Sequence, residues 1–443
     1  MTRKYFGTDG IRGCVGEAPI TADFMLRLGN ALGQAIKSRP ASVVIGKDTR
    51  ISGYMFESAL EAGLSAAGVN TLLLGPMPTP AIAYLTRTLG AEAGIVISAS
   101  HNAFTDNGIK FFNARGEKLS DKLEITIEQM LTKEIKTLPA GQLGKAWRID
   151  DASGRYIEYC KSRVPDSVRL DGLKVVIDCA HGATYHVGPL VFQELGAEVI
   201  PIHVQPDGMN INKDSGSTSP EAMRDAVLEH QADLGIAFDG DGDRLIMVDK
   251  LGRYVDGDQI LYVLAKHRLM QGNLDGGVVG TIMSNLGMEN KLKEMGVAFV
   301  RSNVGDRYVH QELDKRQWVL GGEASGHMLI LDRGKTGDGI VTALLVLEAL
   351  ISLKSPLDQL VDEVPMYPQI THNVRVNNKF DPMDNAVLAA KFDDLTQSMA
   401  GKGRLILRAS GTEPIIRVTA EAQEHAMAQA AVDEMADLVR AIM

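Results

Sequence analysis

Three aspartates alternate with glycines in one short stretch of the sequence, at Asp239, Asp241 and Asp243. Two carboxylates about 4 Å apart repel each other by about 4 kcal/mol at an effective dielectric constant near 20, so three together need a cation. All-oxygen ligands favour Mg²⁺, Mn²⁺ or Ca²⁺ over zinc. An EF-hand loop that began at Asp239 would need glycine at its sixth position and glutamate at its twelfth. This sequence has Arg244 and Lys250 there, so an EF-hand is excluded. The stretch predicts a Mg²⁺ site, with a solvated acidic turn as the alternative.

A serine follows a buried strand earlier in the chain. The apolar run from Ala93 to Ile97 predicts this strand, and the small polar residues after it cannot continue it. Proteins of the α/β class place their chemistry at such strand ends. Ser100, followed by His101, is therefore a candidate nucleophile, and the alternative is a turn residue or helix cap.

A stretch near the C-terminus is suited to binding an anion. It begins at Arg408 after a predicted strand, and Gly411 allows successive backbone N–H groups to point into one concavity. Ser410 and Thr412 add hydroxyl donors, and the guanidinium groups of Arg408 and Arg417 can grip a phosphate. An ordinary hairpin loop is the alternative.

Two further loops carry polar residues with weaker individual signals. Glu323 and Ser325 are suited to sugar hydroxyls, and His327 could transfer protons, although a structural histidine is the alternative. The glycine-rich stretch 6–13 contains Arg12. A serine, a cation site and an anion site together predict phosphoryl transfer.

The composition excludes several classes of protein. The chain has 443 residues and a net charge of −10, which disfavours nucleic acid and anionic lipid as partners. Its three cysteines are odd in number and widely spaced, which predicts free thiols in the cytoplasm. We expect no signal peptide, and the longest apolar stretch, 341–353, is too short to span a bilayer.

The candidate residues fall in loops of a recurring architecture. Strands and helices alternate in three rounds, which predicts the α/β class, and each round ends in a strand–loop–strand unit. These units hold Ser100, then the aspartates, then Glu323 to His327, so we expect the three loops to converge on one cleft. From about Tyr367 the pattern predicts a smaller α+β unit.

The motifs resemble those of the α-D-phosphohexomutase superfamily, in the same order and over essentially the whole chain. Five stretches carry the resemblance: 6–13, 97–102, 239–244, 322–327 and 408–417. Three longer stretches, 104–112, 208–212 and 304–309, are similar to bacterial members that act on glucosamine phosphates. Ala103 departs from the proline that often follows His-Asn in the family, which removes no chemical group.

The resemblance implies three similar mixed-sheet α/β domains and a smaller C-terminal α+β domain around one central cleft. The expected bounds are 1–150, 151–252, 253–366 and 367–443. One Mg²⁺ per subunit is implied, held by Asp239, Asp241, Asp243 and the phosphorylated Ser100. The remaining implied roles are sugar binding by Glu323 and Ser325, phosphate binding by the 408–417 loop, and charge stabilisation or proton transfer by Arg12, His101, Lys110 and His327.

The implied reaction interconverts glucosamine 6-phosphate and glucosamine 1-phosphate through a phosphoserine and glucosamine 1,6-bisphosphate, which also acts as activator. It would lie upstream of UDP-N-acetylglucosamine and cell-wall synthesis. A glucose or mannose phosphomutase is the alternative, and a non-catalytic sugar-phosphate sensor is a more remote one. The only expected partner is a small sugar phosphate, bound by a monomer or homodimer.

Overall fold

The computed structural model describes residues 4–7, 9–36, 38, 40–378, 380–410 and 414–442. The chain folds into two compact units. The large unit comprises Met1–Ile282 and Val300–Val361, and the small unit comprises Met283–Phe299 and Asp362–Met443. The predicted division into four domains is not tested by this grouping and stays a prediction.

The first sheet of the large unit has six strands in the order β1-β5-β4-β2-β3-β6. Strands β2, β3, β4 and β6 run parallel, while β5 is antiparallel to β4 and to β1. Its elements are β1 (Ile11–Cys14), α1 (Ala22–Ala35), β2 (Ser42–Lys47), α2 (Ile51–Ala66), β3 (Asn70–Pro76), α3 (Thr79–Thr88), β4 (Ala93–Ile97), β5 (Asp106–Asn113), α4 (Asp121–Leu131) and β6 (Ala146–Arg148).

The second sheet has five strands in the order β11-β10-β9-β7-β8. Strands β7, β8 and β9 run parallel, while β10 is antiparallel to both β9 and β11. Its elements are α5 (Ala152–Lys161), β7 (Lys174–Asp178), α6 (Val187–Glu194), β8 (Glu198–Ile202), α7 (Glu221–His230), β9 (Leu234–Phe238), β10 (Leu245–Asp249) and β11 (Tyr254–Val255).

The third sheet has the order β13-β12-β14-β15, with β14 parallel to β12 and antiparallel to β15. The elements of this stretch are α8 (Gly257–Met270), β12 (Val278–Thr281), α9 (Leu286–Glu294), β13 (Phe299–Ser302), α10 (Asp306–Arg316), β14 (Leu320–Gly322), β15 (Met328–Ile330), α11 (Gly339–Leu353) and α12 (Leu357–Asp362). The three predicted strand–loop–strand units are therefore β4–β5, β9–β10 and β14–β15, and the predicted α/β class is confirmed.

The small unit contains an antiparallel sheet in the order β16-β18-β17. Helix α9 joins this unit because Leu286 N–H donates to Glu421 Oε1 (2.7 Å) and the Asn285 side chain donates to the carbonyl of Tyr367 (3.0 Å). The other elements are β16 (Gln369–Arg375), α13 (Ala386–Ser398), β17 (Gly403–Ala409), β18 (Ile415–Ala422) and α14 (His425–Ile442).

The strands that lead into the loops are buried on both faces. All five residues of β4 and all five of β9 are buried, which explains why both read as continuous apolar runs. Elements for which the sequence pattern gave no prediction include β1, β6, α4, α5 and α8. Among the described residues, no helix has both the length and the hydrophobicity needed to cross a bilayer.

A buried carboxylate at the start of α11 gives the fold a pH dependence. Asp338 accepts hydrogen bonds from Val341 N–H (3.0 Å) and from the Tyr156 hydroxyl (2.9 Å), and burial raises its pKa from 3.8 to about 6. The folded state therefore binds this proton more tightly than the unfolded state does. The resulting gain in the free energy of unfolding is complete at a pH below 3.8, the pKa of the unfolded chain, and is lost as the pH rises through about 6.

We predict that the wild type gains about 2 kcal/mol of stability relative to Asp338→Asn as the pH falls from about 7 to about 4. Asparagine is nearly as good a cap as aspartate, so the variant removes the titration and keeps the helix start. Urea unfolding across this range measures the difference. A difference between the two proteins that does not change with pH would contradict the assignment.

Candidate active site

Ser100 lies in the β4–β5 loop of the large unit and is buried, at 1% exposure. Its backbone is in the left-handed region, with φ at 51°. Its hydroxyl donates to Asp239 Oδ2 (2.6 Å) and lies 3.2 Å from His101 Nδ1. The loops that carry Ser100 and Asp239 are distant in sequence, so the predicted convergence of these two loops is confirmed.

Two side chains that the sequence analysis missed donate hydrogen bonds to the backbone of the β4–β5 loop, here called the serine loop. Arg50 is fully buried and donates to the carbonyls of Ser100 (3.0 Å) and Asn102 (2.8 Å). Asn212 Nδ2 donates to the same two carbonyls, at 2.8 and 3.0 Å. A non-glycine residue in the left-handed conformation costs about 1–2 kcal/mol, so these bonds stabilise a strained backbone that exposes the hydroxyl to the aspartates.

The three aspartates lie in the β9–β10 loop, all buried, with one carboxylate oxygen of each within 4.8 Å of the others. Burial raises the pKa of Asp239, and the neighbouring Asp243 and Asp241 carboxylates raise it further. A Cβ at Gly240 would lie 2.6 Å from the carbonyl oxygen of Ser100, so only glycine lets the two loops approach this closely. The aspartate and serine loops therefore form one compact cluster.

The donor set fits a divalent metal. The Oδ1 atoms of Asp241 and Asp243 are buried and have no hydrogen-bond partner among the described residues, which is costly unless a cation occupies the site. Oxygen donors from three carboxylates suit Mg²⁺, and they leave coordination positions for further oxygen ligands. The triad could therefore hold Mg²⁺ beside the Ser100 hydroxyl.

We predict that Asp241→Asn weakens Mn²⁺ binding by at least about tenfold, because it removes one charged ligand. Isothermal titration calorimetry measures this affinity. Asp225→Asn, at an exposed position on α7, is the matched control and should bind as the wild type does. Equal affinity in Asp241→Asn and wild type would contradict the triad as a metal site.

Lys110, on β5, is a cation in direct contact with the cluster. Its Nζ lies 2.8 Å from Asp241 Oδ2 and 3.3 Å from Asp9 Oδ2. Burial would lower the pKa of Lys110, but the Asp241, Asp9 and Asp243 carboxylates raise it above its usual range. Lys110 is therefore held charged next to the site where a phosphoryl group would be transferred.

The third loop contributes His327, which faces the same cluster. Its Nδ1 lies 3.6 Å from Asp243 Oδ1, and its Nε2 lies 3.7 Å from Asp306 Oδ2. Burial alone would lower the pKa of His327, but the Asp243 and Asp306 carboxylates raise it to about 9. His101 behaves oppositely, because burial and the nearby Arg244 and Arg12 lower its pKa to about 4.

A cavity of about 400 Å³ opens above these groups. Glu323 lines it, and its Oε1 accepts a hydrogen bond from Gly305 N–H (2.9 Å). Ser325 is exposed and is not among the lining residues. Five of the predicted site residues line the cavity, namely Arg12, Ser100, Asp243, Glu323 and His327.

The predicted anion loop belongs to the small unit. Arg408 on β17 lies directly opposite Arg417 on β18, and burial together with the Arg417 charge lowers the pKa of Arg408. Like charges in cross-strand register destabilise a sheet, so this pair favours an anionic ligand. Ser410 is buried, while Gly411 and Thr412 lie outside the described residues.

Two features of the sequence could have indicated the site residues that the sequence analysis missed. Asp48 and Arg50 directly follow the buried strand β2, the same strand-end position that singled out Ser100. Asp9, Asn212 and Asp306 lie inside stretches already noted for their resemblance, but only the three-dimensional contacts give each of them a partner.

Comparisons with known proteins agree with this arrangement. The phosphoglucomutase/phosphomannomutase models match in four parts: α/β/α domain I at residues 3–138, domain II at 154–252, domain III at 256–367 and the C-terminal domain at 372–438. The phosphoglucosamine mutase of Pasteurella multocida is 55% identical over 440 residues, covering 99% of each chain.

Solved structures show the same fold. A phosphoglucomutase/phosphomannomutase family protein of Burkholderia thailandensis has a TM-score of 0.82 at 26% identity, covering 98% of this chain and 97% of that one. The N-acetylphosphoglucosamine mutase of Aspergillus fumigatus, in complex with GlcNAc-6P and magnesium, has a TM-score of 0.67 at 18% identity, covering 99% and 96%. On the full-length match to all four domain models and the relative at 55% identity, the chain belongs to the phosphoglucomutase/phosphomannomutase family of the α-D-phosphohexomutase superfamily.

Proposed function

We propose that this enzyme interconverts glucosamine 6-phosphate and glucosamine 1-phosphate by way of a phosphorylated Ser100. The observation that carries the proposal is the buried Ser100 hydroxyl, 2.6 Å from an oxygen of a carboxylate triad suited to Mg²⁺. The choice of an aminosugar is supported by the 55% identity to a phosphoglucosamine mutase over the whole chain.

The reaction is two phosphoryl transfers in opposite directions. A sugar hydroxyl attacks the phosphorus of phosphoserine, the bond to Ser100 Oγ breaks, and glucosamine 1,6-bisphosphate forms. After the bisphosphate has turned around, Ser100 Oγ attacks the phosphorus of the other phosphate and releases the isomeric monophosphate. Such transfers depend mainly on alignment and on neutralising charge.

The basic side chains around Ser100 divide into two roles. Lys110 and Arg12 are cations that stabilise the transferred phosphoryl group, and a Mg²⁺ held by the triad would neutralise phosphoryl oxygens. His101, with its pKa lowered to about 4, is neutral and can accept the proton of the attacking hydroxyl. His327, with its pKa raised to about 9, is charged and suited to donating a proton or stabilising an anion.

The remaining predicted residues orient the substrate. Glu323, which lines the cavity, is proposed to accept hydrogen bonds from sugar hydroxyls, together with Ser325. The non-reacting phosphate is proposed to bind the loop of the small unit, where Arg408 and Arg417 stand opposite each other. Ser410, Gly411 and Thr412 complete this phosphate-binding set.

A side-by-side ³¹P NMR assay tests the choice of sugar. The 6-phosphates of glucosamine, glucose and mannose are supplied with Mg²⁺ and a trace of sugar bisphosphate. We predict that kcat/KM for glucosamine 6-phosphate exceeds the others by at least about tenfold, since a site built for an amino group discriminates against a hydroxyl. A faster reaction with glucose or mannose would reject the aminosugar and favour the alternative phosphomutase.

We also propose a cellular setting for the enzyme. A cytoplasmic enzyme of aminosugar metabolism, upstream of UDP-N-acetylglucosamine, is expected from the cysteine usage and the family. Its partner is a small sugar phosphate, and the monomer or homodimer expected from the sequence stays a prediction.

A further inference from the structure

A second cavity, of about 270 Å³, lies in the large unit away from the serine and aspartate loops. Its walls come from α3, α5, the turn after β5 and the segment 331–338, which joins β15 to α11. It shares no lining residue with the cavity above Ser100. Nothing in the proposed reaction uses this second cavity.

The cavity is strongly basic, although the chain as a whole has a net charge of −10. Its two carboxylates are already engaged, because Asp332 accepts from Arg268 (2.8 Å) and Asp338 accepts from the Tyr156 hydroxyl (2.9 Å). The five basic side chains that line it are Arg87, Arg115, Arg163, Arg333 and Lys335. Such an excess of positive charge in an acidic protein needs a counter-charge.

Several of these cations have donors to spare. Among the described residues, Arg87, Arg163 and Lys335 form no ion pair with a carboxylate. The other two cations are paired, because Arg333 Nε lies 3.6 Å from Asp332 Oδ2 and Arg115 lies 2.7 Å from Glu117 Oε2. Arg163 is fixed in place because its guanidinium lies 4.7 Å from the centre of the Tyr159 ring. A guanidinium held by stacking loses little freedom when it binds a phosphate.

The aromatic side chains of the cavity contact each other. The rings of Tyr84 and Tyr159 stack with centroids 4.0 Å apart, and the Tyr159 hydroxyl donates to the carbonyl of Arg333 (3.0 Å). Since these rings are already packed within the protein, recognition at this cavity depends on charge and not on stacking of a nucleobase.

We propose that this cavity is a second anion-binding site that takes a compact small molecule with two or more phosphate groups. The forked donors of Arg87 and Arg163 match phosphate oxygens, and Lys335 adds a third charge. The volume accommodates a molecule of the size of pyrophosphate.

The segment 331–338 connects this cavity to the active site. It follows β15 and ends at Asp338, the cap of α11. A Cβ at Gly337 would lie 2.6 Å from the ring of His327, so the segment packs directly against that histidine. A ligand that orders the segment is therefore expected to shift His327 and change the turnover rate, and this second part rests on the proposed function.

Calorimetric titration with inorganic pyrophosphate, without divalent metal, tests the site. We expect the Arg87→Gln/Arg163→Gln protein to lose one binding event, with affinity there weakened at least tenfold, whereas Arg408→Gln/Arg417→Gln keeps that event. Arg169→Gln, an exposed arginine outside the cavity, should bind as wild type. Lys335→Gln, at an exposed position, should weaken the same event by a smaller factor. Unchanged binding in both cavity variants would overturn the site.

The coupling to the active site has a separate test. Pyrophosphate is added to the mutase assay with wild type and with Arg87→Gln/Arg163→Gln, both at saturating substrate. An effect on kcat in wild type that is absent from the variant supports the coupling, and equal effects overturn it. If the chain proves to lack mutase activity, the calorimetric result still decides whether the anion site exists.

Discussion

Ser100→Ala should lower kcat by at least about a thousandfold, because it removes the nucleophile of both transfers. The fold should be retained, since alanine at φ 51° is no more strained than serine and the carbonyl contacts of Arg50 and Asn212 remain. The ³¹P NMR assay measures the rate, and thermal unfolding checks the fold.

The control for this variant is Ser58→Ala. Ser58 lies on α2, outside the site, and its hydroxyl donates to the carbonyl of Tyr54 within the same helix. It should keep wild-type activity. A Ser100→Ala enzyme that retains more than a few per cent of the wild-type rate would exclude Ser100 as the phosphate carrier, and with it the proposed pair of transfers.

Arg50→Met should lower the free energy of unfolding by about 3–5 kcal/mol, because it leaves the buried Asp48 carboxylate without its cation. The Arg50 Nε lies 2.8 Å from Asp48 Oδ2, and both side chains have no exposure. Burial already raises the pKa of Asp48, so the charge is costly even with its partner present. Urea denaturation measures the loss.

The same substitution should reduce kcat in the fraction that folds. Arg50 also binds the carbonyls of Ala103 and Asp106, so its loss frees the whole serine loop. Should Arg50→Met not fold, Asn212→Ala provides the milder test, because it removes two of the carbonyl bonds and no charge, while adding some strain from alanine at φ 58°. We expect it to cost about 1–2 kcal/mol and to lower kcat with little change in KM.

A double variant separates the two effects of Arg50. If the unpaired carboxylate dominates, Asp48→Asn should recover part of the stability lost in Arg50→Met, so the two changes would not be additive. Additive losses would contradict that account. Arg155→Gln, which removes only an exposed pair with Asp151, is the control and should leave unfolding unchanged.

The chemistry was largely readable from the sequence. The spaced carboxylates at 239–243 can bind a cation in any fold that brings them together, so residue type alone indicates their chemistry. Buried strands such as β4 and β9 are recognisable because both of their faces are apolar. The order of strand–loop–strand units then placed the serine, the aspartates and His327 at the ends of three sheets.

Only the tertiary structure decided which groups support them. Arg50, Asn212 and Asp9 act through contacts with residues far away in sequence, and no local pattern encodes such partners. The opposite pKa shifts of His101 and His327 likewise depend on neighbours from other loops. The sequence by itself determined which chemical groups the loops carry. The packing of the three sheets determined the charge, burial and strain of those groups, because these properties depend on distances that only the folded chain defines.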